Sequence, residues 1–330
     1  MSRKVAFAGL RHGHILALYN RIKDDPRFEI TAVCEEDESA AFAAEKNWSL
    51  SVTHRNFDRL FESAAFDILA IGDYYGIRGK RVIAGLKHDK DILCDKPLCT
   101  SLSELAEIKE LVKNGDRKIG LMLDLRDFPC FRAAKKLIDS GRAGQIHAIS
   151  FGGQHPLNYG SRPMWYFEKG RHGGTINDIA IHALDAVEYL TGHRIVELTA
   201  ARCWNAFSTA VTDFKDSAQV MFALDDQCGC IGDVSYAAPE KNGYTTPFYW
   251  RFTLWGSGGV IEFCPQDKGV YFIDHATGEK EFFAAPEESL SDYLEIFMQE
   301  LSCQAAVFGT GHILEVTEKA LKLQQIADMA

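Results

Sequence analysis

The sequence predicts a two-part α/β protein: a doubly wound parallel sheet first, then a part built on a large, mostly antiparallel open sheet with helices. Three observations predict it. Up to residue 123, short apolar runs alternate with helically spaced ones, the pattern of successive βα units. From Gln145 the apolar positions recur with period two, which is strand spacing. The length of 330 residues is enough for two cores.

In the first part, Val5 to Gly9 reads as a strand ending in a tight turn, and Ile15 to Ile22 as the helix after it. Phe28 to Cys34 is the second strand, followed by Glu35-Glu36-Asp37-Glu38 and an alanine-rich helix through Lys46. Phe57 to Ala64 is helical, and Phe66 to Gly72 is the third strand. Arg78 to Leu86 forms a helix, Asp91 to Cys94 a strand that delivers Lys96, Leu102 to Lys113 a helix and Lys118 to Leu123 the fifth strand. Such alternation implies a parallel sheet whose ligand lies at the carboxyl ends of the strands.

Asp124 to Asp127 is the crossover, and Phe128 to Ser140 a helix closed by Gly141 and Gly144. Seven strands follow: His147 to Gly153, Ile195 to Asn205, Ser217 to Leu224, Cys228 to Tyr236, Phe248 to Trp255, Val260 to Phe263 and Val270 to Ile273. Short turns such as Asp225-Asp226 and Thr277-Gly278 make neighbours antiparallel. Helices over about Glu287 to Phe308 and His312 to Met329 end the chain. Helices cover one face of such a sheet. Trp204, Phe222, Tyr236, Tyr249 and Trp255 are expected to leave the other face apolar, unless they are simply core, so a second copy would cover it. A homodimer or homotetramer is expected.

The turn Gly9-Leu10-Arg11-His12-Gly13-His14 stands where a dinucleotide-binding turn would hold a pyrophosphate at a helix N-terminus. Only Gly9 is in register with that pattern, Gly13 is displaced by one, and a glycine-containing turn without a phosphate is the plainer reading. Glu35, at the end of the second strand, is placed to accept ribose hydroxyls. With Glu36 and Asp37 beside it a 2'-phosphate is repelled, so NAD is expected over NADP; a helix start stabilised by acids is the alternative. Past the midpoint, Gly173-Gly174-Thr175 opens a helix in which Thr175 or Asn177 is a candidate cap. Asp178 and His182, at i and i+4, share one of its faces. Alone they also read as an ordinary surface pair. Together with Lys96 they offer a carboxylate, an imidazole and an ammonium for proton transfer at one hydroxyl. The loop Gln154 to His172 is rich in aromatic and polar residues, so Arg126, His155, Trp165 and Tyr166 are candidates to line a substrate pocket.

An excess of 46 acidic over 36 basic residues gives a net charge of -10, which argues against nucleic-acid or anionic-membrane partners. No apolar run is long enough to span a bilayer and no signal-peptide core is visible, so a cytoplasmic location is expected. Nine cysteines without a secretion signal read as reduced, buried thiols. The lone pair Cys228-Gly229-Cys230 lacks a partner pair, so no metal is expected.

Taken together, the turn at Gly9, the acid at Glu35, Asp95-Lys96-Pro97, and Gly173-Gly174 followed by Asp178 and His182 resemble, in order and over nearly the whole chain, the Gfo/Idh/MocA oxidoreductases. The resemblance implies an NAD-binding Rossmann domain over residues 1–123 and a substrate-binding and oligomerisation domain over 124–330. It also implies hydride transfer between a nicotinamide and a hydroxyl carbon of a sugar, cyclitol or related polyol. By it Lys96, Asp178 and His182 are the catalytic residues. The expected cofactor contacts are Gly9, Leu10, Arg11, His12, Gly13, His14, Glu35, Gly72, Asp73, Tyr74, Lys96 and Pro97. Two departures touch the cofactor: Arg11 replaces a usual glycine, and Asp73 to Arg78 replaces a Thr-Pro-Asn type loop. Asp73 near a diphosphate would need compensation from Arg11 or Arg78. The same resemblance embraces glycoside hydrolases that use bound NAD and nucleotide-sensing regulators without chemistry.

Overall fold

The computed structural model describes residues 2–208, 210–287 and 292–329. The chain divides into two compact units. The first holds Met1–Met122, Gly170–Gly173 and Ile296–Leu314; the second holds Leu123–Lys169, Gly174–Glu295 and Glu315–Ala330.

In the first unit β1 (Arg3–Ala8), β2 (Phe28–Cys34), β3 (Ile68–Ile71), β4 (Asp91–Cys94) and β5 (Ile119–Leu121) form a sheet in the order β2-β1-β3-β4-β5. Every neighbouring pair is parallel. The helices between them are α1 (His14–Ile22), α2 (Glu38–Trp48), α3 (Phe57–Ser63), α4 (Tyr75–Lys87) and α5 (Leu102–Asn114). β3 and β4 are buried along their whole length, as unbroken apolar runs are when helices lie on both faces. Register sets the site. Cys34, Ala8, Ile71, Cys94 and Leu121 form one row across the five strands. The residues that follow, Glu35, Gly9, Gly72 and Asp95-Lys96, therefore leave the sheet along one carboxyl edge. The strand order reverses beside β1, which is where such sheets open a crevice for ligands.

The second unit carries α6 (Pro129–Asp139), β6 (Ile146–Pro156), α7 (Ile181–Thr191), β7 (Ile195–Trp204), β8 (Ser217–Leu224), β9 (Gly229–Ala238), β10 (Trp250–Gly256), β11 (Gly259–Phe263), β12 (Gly269–Asp274) and β13 (Lys280–Ala284). Its sheet runs β13-β12-β11-β10-β6-β9-β8-β7. All pairs are antiparallel except β6 with β9, an exception the short turns did not announce. Strand β13 also escaped the sequence reading. It is a short edge strand, Lys-Glu-Phe-Phe-Ala, with no fully buried position, so its alternation is weak. The helices α6 and α7 pack on one another, α6 against β12 and β13 and α7 against β6. The chain ends with α8 (Tyr293–Leu301) and α9 (Thr310–Met329). Of the helix expected over about Glu287 to Phe308, residues 288–291 lie outside the described residues, and the helix seen ends at Leu301.

Two of the five aromatics assigned to the open face belong to the covered one. Phe222 and Tyr236 are buried, while Trp255 is exposed and Trp204 and Tyr249 are half-buried. The open face mixes aromatic, polar and aliphatic side chains. One row of cross-strand neighbours runs Phe282, Tyr271, Glu262, Thr253, Ser150, Ile231, Met221, Ala200. None of these eight is buried.

Candidate active site

The turn after β1 is built by close approach. Gly9 has φ +80°, and a Cβ there would stand 2.5 Å from Asp73 Cβ, so only glycine fits. Gly13 has an ordinary helical φ of -63° and open space around it, so its displacement from the usual pattern costs nothing here. Gly72 supplies the tight helix-to-strand contact instead, since a Cβ on it would meet Ile15 of α1 at 2.2 Å. No side chain caps α1 and its first turn holds no acid, which leaves a helix N-terminus suited to an anion.

Glu35 is already engaged by the protein. Its carboxylate accepts from the amides of Leu10 (2.5 Å) and Asp37 (2.8 Å) and from Arg11 Nε (3.3 Å). Burial pushes its carboxyl up against the pull of those amides and of Arg11. Arg11 also lies 3.2 Å from Asp73 Oδ1 and over the Tyr74 ring at 5.1 Å. Asp73 is thus compensated by Arg11, with Arg81 at 3.5 Å as a second partner.

Arg78 does something else. Fully buried, it donates through Nε to the Asp73 carbonyl (2.7 Å), through Nη1 to the carbonyls of Asp95 (2.9 Å) and Lys96, and through Nη2 to Asp95 Oδ2 (2.8 Å). One guanidinium therefore ties the β3 turn to the turn that carries Lys96. The Asp95 carboxylate also accepts from His12 Nδ1, whose Nε2 meets the Tyr75 hydroxyl at 3.2 Å. Burial would push the Asp95 carboxyl up, but Arg78 and His12 hold it well below the usual range. Burial pushes the His12 imidazole down to about 3, so a neutral ring faces a carboxylate. His12, His14 and Asp95 could bring one ligand atom each within 4.8 Å, yet Asp95 already holds a guanidinium, a poor neighbour for a metal ion. Lys96 is 3% exposed, its Nζ 5.7 Å from the centre of the Tyr75 ring, and Pro97 follows through a cis peptide bond.

In the second unit the helix that begins at Thr175 is not uniform. Ile176–Ala180 is a π turn that passes into α7 at Ile181, and π turns are frequent at functional sites. Neither Thr175 nor Asn177 caps it: Thr175 is itself helical and donates its hydroxyl to the Lys215 carbonyl. The first amide is met by Gln324, whose Oε1 accepts from Ile176 N at 3.1 Å. Asp178 and His182 are buried, so they are no surface pair. Asp178 Oδ2 accepts a short bond from the Tyr236 hydroxyl, whose pKa rises through burial and then through the Asp178 charge. His182 Nδ1 lies 3.6 Å from Asp124 Oδ1, and its ring stands edge-on to Trp250 with centroids 6.1 Å apart.

The four substrate candidates are all buried in this unit. Arg126 pairs with Asp185 at 2.9 Å, so it buttresses α7. Trp165 and Tyr166 stack on each other at 4.1 Å, and His155 sits among Tyr236, Tyr244, Tyr249 and Trp250. Arg162 lies over the rings of Tyr166 and Tyr236, 4.4 and 5.3 Å from their centres. Sequence reading missed Tyr236, Asp124 and Arg162, which come to Asp178 and His182 from distant segments.

A parallel doubly wound sheet with a glycine turn at its switch point is the architecture of dinucleotide-binding domains. Residues 3–122 match the oxidoreductase family with an NAD-binding Rossmann fold, and residues 131–262 match the GFO/IDH/MocA C-terminal domain. The chain belongs to this family of oxidoreductases. Inositol 2-dehydrogenase of Rhizobium meliloti is 23% identical over 86% of this chain and 84% of its own length. Levoglucosan dehydrogenase of Pseudarthrobacter phenanthrenivorans is 25% identical over 70% of this chain and 64% of its own. An Agrobacterium radiobacter oxidoreductase, solved in complex with NAD+, L-tartaric acid and magnesium, shares the fold with a TM-score of 0.80, covering 100% of this chain and 96% of that one at 20% identity. Among the described residues no helix is long and apolar enough to cross a membrane.

Proposed function

We propose that the protein is an NAD-dependent dehydrogenase acting on a hydroxyl carbon of a sugar, cyclitol or related polyol. The observation that carries the reading is the buried pair Asp178 and His182, with Asp178 fixed by Tyr236 and the imidazole flanked by Trp250. Burying an acid and a base beside aromatic walls costs stability that a merely structural helix would have no reason to spend. Bound NAD would supply the acceptor for the hydride, held by the glycine turn, the α1 N-terminus and Glu35. As the carbinol C–H pair departs, His182 takes the hydroxyl proton. Asp178, fixed by Tyr236, holds a neighbouring hydroxyl. Lys96 donates to the reacting oxygen and stabilises its charge. Glu35, Glu36 and Asp37 favour NAD over NADP, since Arg11 is neutralised between Glu35 and Asp73.

The likeness to an inositol 2-dehydrogenase and a levoglucosan dehydrogenase supports a cyclic polyol or sugar as substrate. Steady NADH formation across a panel of polyols is expected. In Lys96→Ala turnover should fall about 100-fold or more while NAD binding barely changes. Cleavage of an aryl glycoside without net NADH would select the hydrolase reading instead, and nucleotide binding with neither activity the regulator. We also propose that two copies associate through the open face of the eight-stranded sheet.

A further inference from the structure

We propose that Asp124 is the positioning residue for His182, presenting its carboxylate to Nδ1 so that Nε2 is the nitrogen that takes the substrate proton; this rests on the dehydrogenase reading above. Asp124 precedes the short 3-10 turn Leu125–Asp127, and its carbonyl accepts from Asp127 N at 3.0 Å, which sets the backbone. Its Oδ1 stands 3.6 Å from His182 Nδ1; the carboxylate is half exposed and the imidazole 6% exposed. Nδ1 itself is buried. The two residues are kept in register by a second contact. Arg126, on the same turn as Asp124, pairs with Asp185, one helical turn beyond His182, and both are buried. Trp250 limits the swing of the ring from another side.

The chemistry follows from which nitrogen faces the acid. A carboxylate beside one ring nitrogen selects the tautomer with its proton there, and the lone pair is then on the other. At 3.6 Å the pair is longer than a good hydrogen bond, but it is within ion-pair range once the ring is charged. When the hydroxyl proton moves to Nε2, the positive ring is stabilised by Asp124. In the reverse direction the same proton returns to the carbonyl oxygen as hydride arrives at its carbon. Asp178 is held through Oδ2 by Tyr236, whereas it is Asp124 that faces Nδ1. Other titratable or charged groups on the surrounding elements include Asp178, Asp185 and Glu188 on the helix itself, Asp127 on the turn of Asp124, Arg126 paired with Asp185, and Arg162, His155, Tyr236 and Tyr249. Burial and then the Asp124 charge push the Tyr249 hydroxyl up, so it stays neutral.

The test is an NMR titration of the full-length protein without substrate, with the His182 signal assigned by its loss in His182→Gln. In Asp124→Asn the midpoint should fall by about one pH unit, whereas Asp124→Glu should keep it. The acid limb of kcat/KM should move to lower pH by the same amount, with kcat down about 10-fold or more and KM little changed. The Asp124 side chain makes no capping hydrogen bond to the turn it precedes, so the asparagine variant should keep the fold, which far-ultraviolet circular dichroism checks. Equal midpoints in wild type and Asp124→Asn would overturn the proposal even if NADH is formed. A shifted midpoint without NADH formation from any polyol would leave the pairing standing and remove the dehydrogenase reading.

Discussion

Asp95 remains charged where no water reaches it because two side chains serve it at once: Arg78 as a cation and His12 as a neutral donor. That division of labour has a pH consequence. His12 is held neutral in the fold down to about 3, whereas in the unfolded chain an imidazole protonates near its ordinary 6.5. Between those two values the unfolded state binds one proton more, so stability must fall as pH falls. From about pH 7.5 to about 5 this one group should cost roughly 2 kcal/mol. His12→Gln keeps a donor toward Asp95 but has nothing to titrate. In urea unfolding followed at several pH values, the wild type should therefore lose stability more steeply than His12→Gln over that window. Parallel curves would show that His12 is charged in the fold. The Asp95 carboxyl, held low, contributes stability that is fully present above its ordinary range and is lost as pH falls from there through its lowered value in the fold.

At the level of elements, the entry to α7 depends on a backbone that only glycine tolerates. Gly174 has φ +99°, and a Cβ on it would lie 2.1 Å from Gln324 Oε1, the atom that accepts from Ile176 N. Gly174→Ala should thus destabilise by about 2 kcal/mol or more, combining backbone strain with the loss of that acceptor. Adding Gln324→Ala removes the clash but not the strain, so the double variant should recover only part of the loss in urea midpoint. Full recovery would mean that the left-handed backbone costs nothing. This helix also shows what a sequence can tell. The helix that carries Asp178 and His182 was legible because its apolar stripe marks it. So was the row of turns at Gly9, Glu35, Gly72 and Lys96, because strand ends in a parallel sheet fall on one edge. The π turn was not, since it needs one extra residue per turn and no local residue marks it. Nor were the bonds from Tyr236 to Asp178 and from His12 to Asp95, which join residues 58 and 83 positions apart. The parallel pairing of β6 with β9 was hidden likewise, because strand order is decided by long-range packing.

For the whole molecule, the decisive feature is a sheet covered by helices on one face only. Ile231 and Met221 are neighbours on the other face, 55% and 48% exposed, and Trp255, at 51%, points the same way two residues along β10 from the Thr253 row. A lone chain leaves these in water, while a second copy laid sheet to sheet removes them at about 25 cal/mol per Å² of apolar area. A stable pair needs roughly 1,000 Å² or more in total, which a face of eight strands can supply. Arg251 and Glu262, exposed and paired on this face, and Asp233 with Gln219 add polar contacts that give such a pairing direction. Ile231→Asp places a carboxylate on that face, and in a two-fold pairing the partner brings its own copy of the same charge to the interface. Because the residue points away from the covered core, the fold should survive. Light scattering should then give a multiple of 36.8 kDa for the wild type and a shift toward 36.8 kDa for Ile231→Asp, with unchanged circular dichroism. A wild type that is already 36.8 kDa at micromolar concentration, or a variant with undiminished mass, would move the contact between copies off this face or abolish it.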